Sequence, residues 1–197
     1  MNITFNATGH GTAYMDTLKA ICGNTEDRSL IDLGCGWCTH TRQLKFKEKR
    51  LVDIVVRDLG EENNCFVQVD MLELIKQPSD KIFDISISSD NIEHFWQEDG
   101  FKIIDWMENN SKKQIIFTPL GDYIKTEDKT DTNPDSHKSG CLPKDFELIG
   151  WNTITFPQFH PTLGEHGLGA FFAFHCENLN EEFNRIINEL KNKSWIK

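Results

Sequence analysis

Long apolar runs, a leader-like start and linker-like stretches are all missing from this sequence. No run approaches the roughly 18 apolar residues that a membrane-spanning helix needs. Residues 1–16 lack the basic start and the apolar stretch that mark a secretory signal peptide. These absences argue against a membrane or secreted protein, and we expect a soluble, cytoplasmic protein.

The sequence also lacks clustered cysteines, and it has fewer basic than acidic residues. The six cysteines are scattered, and a chain of 197 residues can build a core without disulfide bonds, so free thiols are expected. The chain has 31 acidic against 21 basic residues, a formal net charge of −10. Because such a field repels phosphate backbones, a nucleic-acid partner is disfavoured.

No repeat, low-complexity block or Pro/Gly/Ser-rich linker divides the chain, so residues 1–197 are expected to form a single domain. The sequence contains instead an ordered series of short apolar runs. The first five runs are 30–33, 49–56, 65–70, 82–90 and 114–119. Segments with helical spacing, such as Phe95–Met107, lie between several of them. Strands that alternate with helices predict a parallel sheet covered on both faces.

The two ends of the chain complete this prediction. Late in the chain, 151–156 and 168–176 are aromatic-rich runs typical of antiparallel edge strands, and 180–191 has the spacing of a closing helix. We therefore predict an α/β fold, a three-layer doubly wound sandwich whose seven-stranded, mostly parallel sheet has an antiparallel last strand. The N-terminal segment 1–28 is expected to flank the first strand, either as a short helix over 13–21 or as a lid.

A glycine-rich loop follows the first predicted strand, with the sequence DLGCGWCT over 32–39. Glycine lets the backbone turn sharply and approach a ligand, and a helix starting here would direct free N–H groups at that ligand. The G-x-G-x-x-G pattern of dinucleotide binders is broken at Thr39, which disfavours a nicotinamide site. Cys35 and Cys38 also have the C-x-x-C spacing of thioredoxins, an alternative that leaves the other strand ends unexplained.

Three further predicted strands end in side chains that can touch a ligand. Asp53 ends the second, with Asp58 as a competing candidate, and Asp70 ends the third, where it would also suit a helix N-cap. Ser88 and Ser89 end the fourth. Because ligands of doubly wound sheets bind beyond the carboxyl ends of the strands, these residues are expected to share one site.

Two of these segments resemble class I S-adenosylmethionine-dependent methyltransferases. The loop DLGCGWC resembles the D-x-G-C-G-x-G loop of that family, with Cys38 at the position of the third glycine. FDISISSDNIEH, over 83–94, is similar to the D-x-x-x-x-S-x-V-I-E-H stretch of many small methyltransferases. The match covers about Leu30 to His94 and continues more weakly to about Thr155.

The resemblance implies a cofactor, S-adenosylmethionine, which becomes S-adenosylhomocysteine after direct in-line methyl transfer. The glycine loop would cradle the methionine part of the cofactor, and Asp53 would receive the ribose hydroxyls. Asp70 and Met71 would face adenine, and Ser88 and Ser89 would contact the amino group of the cofactor. The implied cofactor residues are Asp32, Gly34, Cys35, Gly36, Asp53, Asp70, Met71, Ser88 and Ser89. The expected acceptor is a small polar molecule, such as a sugar or sugar nucleotide, methylated on a hydroxyl or an amine.

Asp90, Glu93 and His94 form a D-x-x-E-H cluster after the fourth strand. Small-RNA 2'-O-methyltransferases and some quinone O-methyltransferases use a similar cluster to hold a divalent metal, which implies RNA 2'-O-methylation as an alternative function. His94 could instead act as a general base, or the cluster could be a capped helix start. A protein that binds the cofactor without turnover is a further alternative.

A long polar loop over 121–145 is expected on the substrate side, since such loops in compact domains are commonly functional. Its end, HKSGCLPKDF, resembles the H-x-S-x-W-x-P-x-D-F segment of bacterial methyltransferases found with surface-polysaccharide pathways. His137 is the candidate acceptor-contacting residue there, with a surface cap as the alternative. Other candidates are Tyr14 and His10 for the lid, and His160 and His166 for the last hairpin loop.

Overall fold

The computed structural model describes residues 1–6, 10–121, 126–160 and 168–195. Eight strands belong to one sheet in the order β1-β7-β8-β6-β5-β2-β3-β4. Their bounds are β1 (Asn2–Thr4), β2 (Ser29–Leu33), β3 (Glu48–Asp53), β4 (Phe66–Gln68), β5 (Ile85–Ser89), β6 (Lys113–Pro119), β7 (Asn152–His160) and β8 (Leu168–Cys176).

Five α-helices are described: α1 (His10–Cys22), α2 (Met71–Leu74), α3 (Gln97–Asn110), α4 (Pro143–Leu148) and α5 (Leu179–Leu190). Residues of α1 and α5 share one buried cluster on one face of the sheet, and residues of α2, α3 and α4 share another on the opposite face. This confirms the predicted three layers. None of the described helices is long and apolar enough to cross a membrane.

The order of the strands determines where the sheet opens a crevice for a ligand. Strands β4, β3, β2, β5 and β6 are parallel neighbours, the arrangement of a doubly wound sheet. The chain winds outward from β2 toward β4 and then returns to continue from β5 on the other side. The loops after β2 and β5 therefore diverge and open a crevice at the carboxyl ends of the strands.

The sheet has eight described strands where seven were predicted. The additional strand is β1, which pairs in parallel with β7 at the edge of the sheet. A run of three residues is too short to be recognised from an alternating pattern, so its pairing depends on the exposed edge of β7. The antiparallel last strand is confirmed, because β8 runs antiparallel to both of its neighbours, β6 and β7.

The expected helix after the glycine loop is absent from the described structure. Between β2 and β3 the chain forms only a 3₁₀ turn at Thr41–Gln43. Gly34, Gly36 and Cys38 all have positive φ angles, of 71°, 53° and 51°, which a right-handed helix excludes. The prediction that a helix N-terminus faces the ligand was therefore wrong, and backbone groups of the loop itself lie there instead.

Candidate functional site

A cavity of about 370 Å³ lies at the carboxyl ends of β2, β3, β4 and β5. Each of these strands contributes to its wall through the residues that follow it, and the loop after β6 adds Thr132, Pro134, Asp135 and Lys138. A second cavity of about 120 Å³ adjoins the same glycine loop, and Gly34 and Asp90 line both cavities. The structure thus gathers the predicted strand ends around one crevice.

Gly34 is held where no side chain fits. Its φ is +71°, and a Cβ built on it would lie 2.1 Å from Asn91 Oδ1. Asn91 is fixed in turn by donating a hydrogen bond of 2.8 Å from Nδ2 to Ser88 Oγ. Ser88 is therefore buried behind Asn91, whereas its neighbour Ser89 lines the smaller cavity.

The Asp53 carboxylate links the loops after β2 and β3. Its Oδ2 accepts the Gly36 N–H at 2.8 Å, and its Oδ1 accepts the Val55 N–H at 2.8 Å. Each carboxylate oxygen can accept a second hydrogen bond, so the group can still receive ligand hydroxyls. Asp58 is exposed and accepts from Gly60 N–H and Asn63 instead. Of the two candidates, only Asp53 lines the cavity.

Asp32 is buried beneath the glycine loop and lines the smaller cavity. The Thr41 hydroxyl donates to its Oδ2 at 2.7 Å. Burial raises the pKa of the Asp32 carboxyl to about 7, and the nearby charge of Asp53 adds to this effect. The 3₁₀ turn that replaces the expected helix thus supports the strand-end carboxyl directly.

Cys38, at the position of the third glycine of the resembled motif, has a left-handed backbone conformation that favours glycine. Its φ is +51°, and its N–H donates to the Cys35 carbonyl at 2.7 Å. The pKa of the Cys35 thiol is raised above its ordinary range, mainly by a side-chain hydrogen bond with Cys38 and to a smaller extent by burial. A redox-active C-x-x-C needs a lowered pKa and a helix N-terminus, so the geometry speaks against the thioredoxin alternative. All six thiols are free, as expected.

Asp70 and Met71 stand together at the next strand end. Asp70 caps α2, since its Oδ1 accepts the Leu72 N–H at 2.8 Å, which confirms the predicted N-cap. Met71 is buried, and both residues line the larger cavity. The cap role and a ligand role are compatible, because the second oxygen of Asp70 is not used by the cap.

The turn after β5 brings Glu93 and His94 close to His137 of the long loop. The His94 and His137 rings lie 4.8 Å apart between centroids. One potential ligand atom from each of the three residues lies within 4.8 Å of the others. The structure therefore places His137, rather than Asp90, with Glu93 and His94 in the group of described residues that could hold a metal.

The two carboxyl groups of this region differ in their surroundings. Glu93 is 2% exposed, and its Oε2 accepts the Thr118 hydroxyl at 3.0 Å. Burial raises the pKa of Glu93 to about 8, with a contribution from the charge of Asp90. Asp90 is exposed at the crevice, and partial desolvation by the surrounding protein raises its pKa to about 6.

The long loop is fastened to this turn by its backbone. The N–H groups of Lys138 and Ser139 donate to the Glu93 carbonyl at 2.7 and 3.1 Å. His94 Nδ1 lies 3.3 Å from the Ser136 carbonyl. A carbonyl only accepts, so this contact requires a proton on Nδ1, and in the neutral ring Nε2 is then the nitrogen that can bind a proton or a metal.

Comparison with known proteins identifies the fold. N-methyltransferase NodS from Bradyrhizobium japonicum WM9, solved with S-adenosyl-L-homocysteine, has a TM-score of 0.59 at 12% identity, over 83% of this chain and 85% of that chain. The DhpI–SAM–HEP complex has a TM-score of 0.54 at 13% identity, over 83% of this chain and 86% of that one. The methyltransferase domain of bacterial CtHen1 has a TM-score of 0.54 at 15% identity, over 86% and 100%. The chain has the class I methyltransferase fold.

Neither a family model nor a curated protein matches the chain. At identities this low, the likeness to solved methyltransferases shows the fold and not the acceptor. The acceptor must therefore be inferred from the side chains of this chain itself.

Several residues at this crevice of the methyltransferase fold were missed in the sequence. Phe95 and Trp96 were included in the predicted helical segment, but α3 begins at Gln97 and both residues line the larger cavity. Asn91 and Arg57 carried no recognisable signal, because their roles depend on contacts between different loops. Asn91 lies within the D-x-x-E-H stretch, but its residue type gave no reason to single it out.

The candidate lid residues have separate outcomes. Tyr14 lies within α1 and is buried, which confirms the helix alternative for that segment. Its hydroxyl is 2.7 Å from Ser89 Oγ, its ring centroid is 3.9 Å from that of His40, and it lines the smaller cavity. The side chains of His10 and His160 and the whole of His166 lie outside the described part of the chain.

Proposed function

We propose that the protein is an S-adenosylmethionine-dependent methyltransferase that acts on a small polar acceptor. The observation that carries the proposal is the joining of the glycine loop to Asp53 through the Gly36 N–H, at the crevice of a methyltransferase fold. A glycine loop alone is a weak signal. Its fastening to an acidic strand end, with both residues in the wall of one cavity, supports a ligand site at this loop.

The residues present fit this cofactor. Asp53 would accept the ribose hydroxyls, and Asp70 with Met71 would contact the adenine. The methionine end would occupy the smaller cavity, where Asp32, Cys35 and Ser89 line the wall beside Gly34. Gly36 lines the larger cavity. Ser88 would act through Asn91, since it is buried behind that side chain.

The bound cofactor supplies a methyl group that is already activated as a sulfonium. The protein then contributes alignment of the acceptor and exclusion of water, which supply much of the rate of such transfers. Phe95 and Trp96 would shield the acceptor side of the cavity. His94, with its Nδ1 proton directed at Ser136, would take the acceptor's proton on Nε2, and His137 would support it.

The acceptor side of the cavity combines polar side chains with aromatic surface. His94, Thr132, Asp135 and Lys138 line it together with the two aromatic residues. Hydrogen-bonding groups next to aromatic surfaces suit a polyhydroxylated or amino compound, such as a sugar or sugar nucleotide. We therefore place the loop over 121–145 on the substrate side of a single domain.

Turnover tests this proposal. The protein is incubated with S-adenosylmethionine and separate pools of sugars, sugar nucleotides and small amines, and the release of S-adenosylhomocysteine is followed. The proposal expects release with at least one pool and a loss of at least about tenfold in rate for His94→Ala, because a general base contributes about 10²–10⁴-fold. Tight cofactor binding without release from any pool would favour the alternative of binding without turnover.

A second function, metal-dependent O-methylation, is favoured by the Glu93/His94/His137 group. Two imidazoles and a carboxylate form a ligand set used by catalytic metal sites, which leave positions open for water or substrate. Ligand atoms about 2.1 Å from an ion lie at most about 4.2 Å apart, so a small inward movement of the 4.8 Å group would suffice. RNA 2'-O-methylation is the acceptor chemistry that corresponds to such a metal site. The negative net charge of the chain argues against an RNA acceptor.

This alternative is tested by metal analysis and by RNA binding. Metal dependence predicts that a chelator abolishes turnover, that Mg²⁺, Mn²⁺ or Zn²⁺ restores it, and that His137→Ala lowers metal content while cofactor binding persists. Full activity in the presence of a chelator would exclude it. An RNA oligonucleotide that fails to bind at low salt would exclude RNA as the acceptor.

A further inference from the structure

Arg57 lies in the wall of the larger cavity with an unsatisfied donor. Its Cζ atom lies 5.1 Å from the centroid of the Trp37 ring. Its Nε is buried and has no hydrogen-bond partner among the described residues. None of the ion pairs formed by the described residues includes Arg57. A buried N–H without an acceptor is unfavourable, so a small movement of the Arg57 side chain that brings this N–H to an acceptor atom of a ligand in the cavity would be favoured.

Arg50 shows what a complete arrangement of the same kind looks like. Its Cζ lies 5.2 Å from the centroid of the Phe83 ring, almost the distance found for Arg57 and Trp37. Its two terminal nitrogens, however, donate to the Asp80 carboxylate at 2.9 and 3.1 Å. Arg50 needs no ligand, whereas Arg57 has the aromatic partner without the acceptor.

Trp37 connects this arginine to the glycine loop. It follows Gly36 directly, and its side chain is 58% exposed although it is a large apolar ring. Trp37 lines the smaller cavity and Arg57 lines the larger one. The pair therefore joins the loop after β2 to the loop after β3, the two loops that the Gly36–Asp53 hydrogen bond also joins.

We propose that Arg57 and Trp37 form a clamp that closes on the nucleoside end of the bound cofactor, with the Arg57 Nε–H donating to an acceptor atom of the adenosine. The inference rests on the proposed function. The nucleoside is favoured over the amino-acid end because Arg57 shares its cavity with Asp53, Val69 and Asp70, the residues expected around ribose and adenine. Adenosine offers ring nitrogens and ribose oxygens as acceptors.

Calorimetric binding of two probes tests the clamp. S-adenosylhomocysteine contains both ends of the cofactor, and 5'-methylthioadenosine contains the nucleoside but no amino acid. Arg57→Lys keeps the positive charge but loses the Nε–H and the planar guanidinium. We expect it to weaken the binding of both probes by about tenfold, since a hydrogen bond to a charged donor contributes that much. Arg50→Lys is the matched control and is expected to change neither affinity by more than about twofold.

The outcomes separate this inference from the function on which it rests. Equal binding of both probes by Arg57→Lys and the unaltered protein, with equal melting temperatures, would overturn the clamp alone. A loss confined to S-adenosylhomocysteine would overturn it too, because Arg57 would then hold the amino-acid end. Failure of the unaltered protein to bind either probe would overturn the proposed function and the clamp together.

Tryptophan fluorescence provides an independent readout of the ring. If the clamp closes, 5'-methylthioadenosine changes the emission of the unaltered protein, and Trp37→Phe removes most of that change. The same substitution keeps a ring under Arg57, so it is expected to weaken binding by less than Arg57→Lys. An unchanged fluorescence response in Trp37→Phe would show that Trp37 does not meet the ligand.

Discussion

Gly34 and Gly36 look equivalent in the sequence, but their surroundings differ. A Cβ at Gly34 would collide with Asn91, whereas a Cβ at Gly36 meets nothing within 4 Å. Both have positive φ, which costs a non-glycine residue about 1–2 kcal/mol. We predict that Gly36→Ala lowers the free energy of unfolding by about 1 kcal/mol and that Gly34→Ala lowers it by about 2–5 kcal/mol, since forced overpacking adds to the backbone strain.

Urea unfolding of the two variants checks this prediction, and Asn91→Ala provides a third point. Removing the Asn91 side chain in a Gly34→Ala background should recover part of the lost stability, because the colliding atoms are then absent. Equal losses for Gly34→Ala and Gly36→Ala would contradict the close contact at Asn91.

At the scale of single residues, the sequence identified those whose role follows from their own strand. Asp32, Asp53 and Asp70 were found because each lies at or near the end of an apolar run. Asn91 and Arg57 were not found, since their importance comes from meeting residues of another loop. The meeting of His94 with His137, 43 positions apart, likewise depends on how the long loop folds back.

At the scale of secondary-structure elements, helix α5 is an element that the periodicity of the sequence was sufficient to predict. The spacing over 180–191 predicted a helix with one apolar face, and Phe183, Ile186, Ile187 and Leu190 are all buried. We predict that Ile186→Ala lowers the free energy of unfolding by about 2–5 kcal/mol, the usual range for a buried truncation. Asn188→Ala, on the exposed side of the same helix, should change it by no more than about 0.5 kcal/mol. Thermal or urea unfolding measures both, and similar losses would contradict the amphipathic packing.

Two elements could not be predicted, for different physical reasons. Strand β1 is too short to have a pattern and forms only by pairing with β7. The segment after β2 was expected to be helical, but its three positive φ angles commit the backbone to turns before a helix can start. In both cases tertiary contacts decide a conformation that local propensity leaves open.

For the whole molecule, raised carboxyl pKa values couple stability to pH. The pKa of Asp32 rises from 3.8 in its ordinary state to about 7 in the fold, so the folded state binds a proton that the unfolded state has lost. Its contribution is fully present below about pH 4 and is lost as the pH rises toward 7, by about 1.4 kcal/mol per unit in that interval. The pKa values of Asp90 and Glu93 are also raised, so these two groups likewise lower the free energy of unfolding as the pH rises.

We therefore predict that the free energy of unfolding falls from pH 5 to pH 7 and that Asp32→Asn makes this fall less steep. Asp84→Asn is the control, because the pKa of Asp84 is lowered to about 2 and the group does not titrate in this interval. Urea unfolding at intervals of half a pH unit measures the slopes. A slope unchanged by Asp32→Asn would contradict a raised pKa at this buried carboxyl.

The most direct test of the central claim is calorimetric titration of the protein with S-adenosylmethionine, repeated with Asp53→Ala and with Asp58→Ala. We predict micromolar binding that Asp53→Ala weakens by about tenfold or more and that Asp58→Ala leaves within about twofold, since of these two residues only Asp53 lines the cavity. Absence of binding by the unaltered protein would contradict the proposed function. An equal loss in both variants would contradict the placement of the ribose at Asp53.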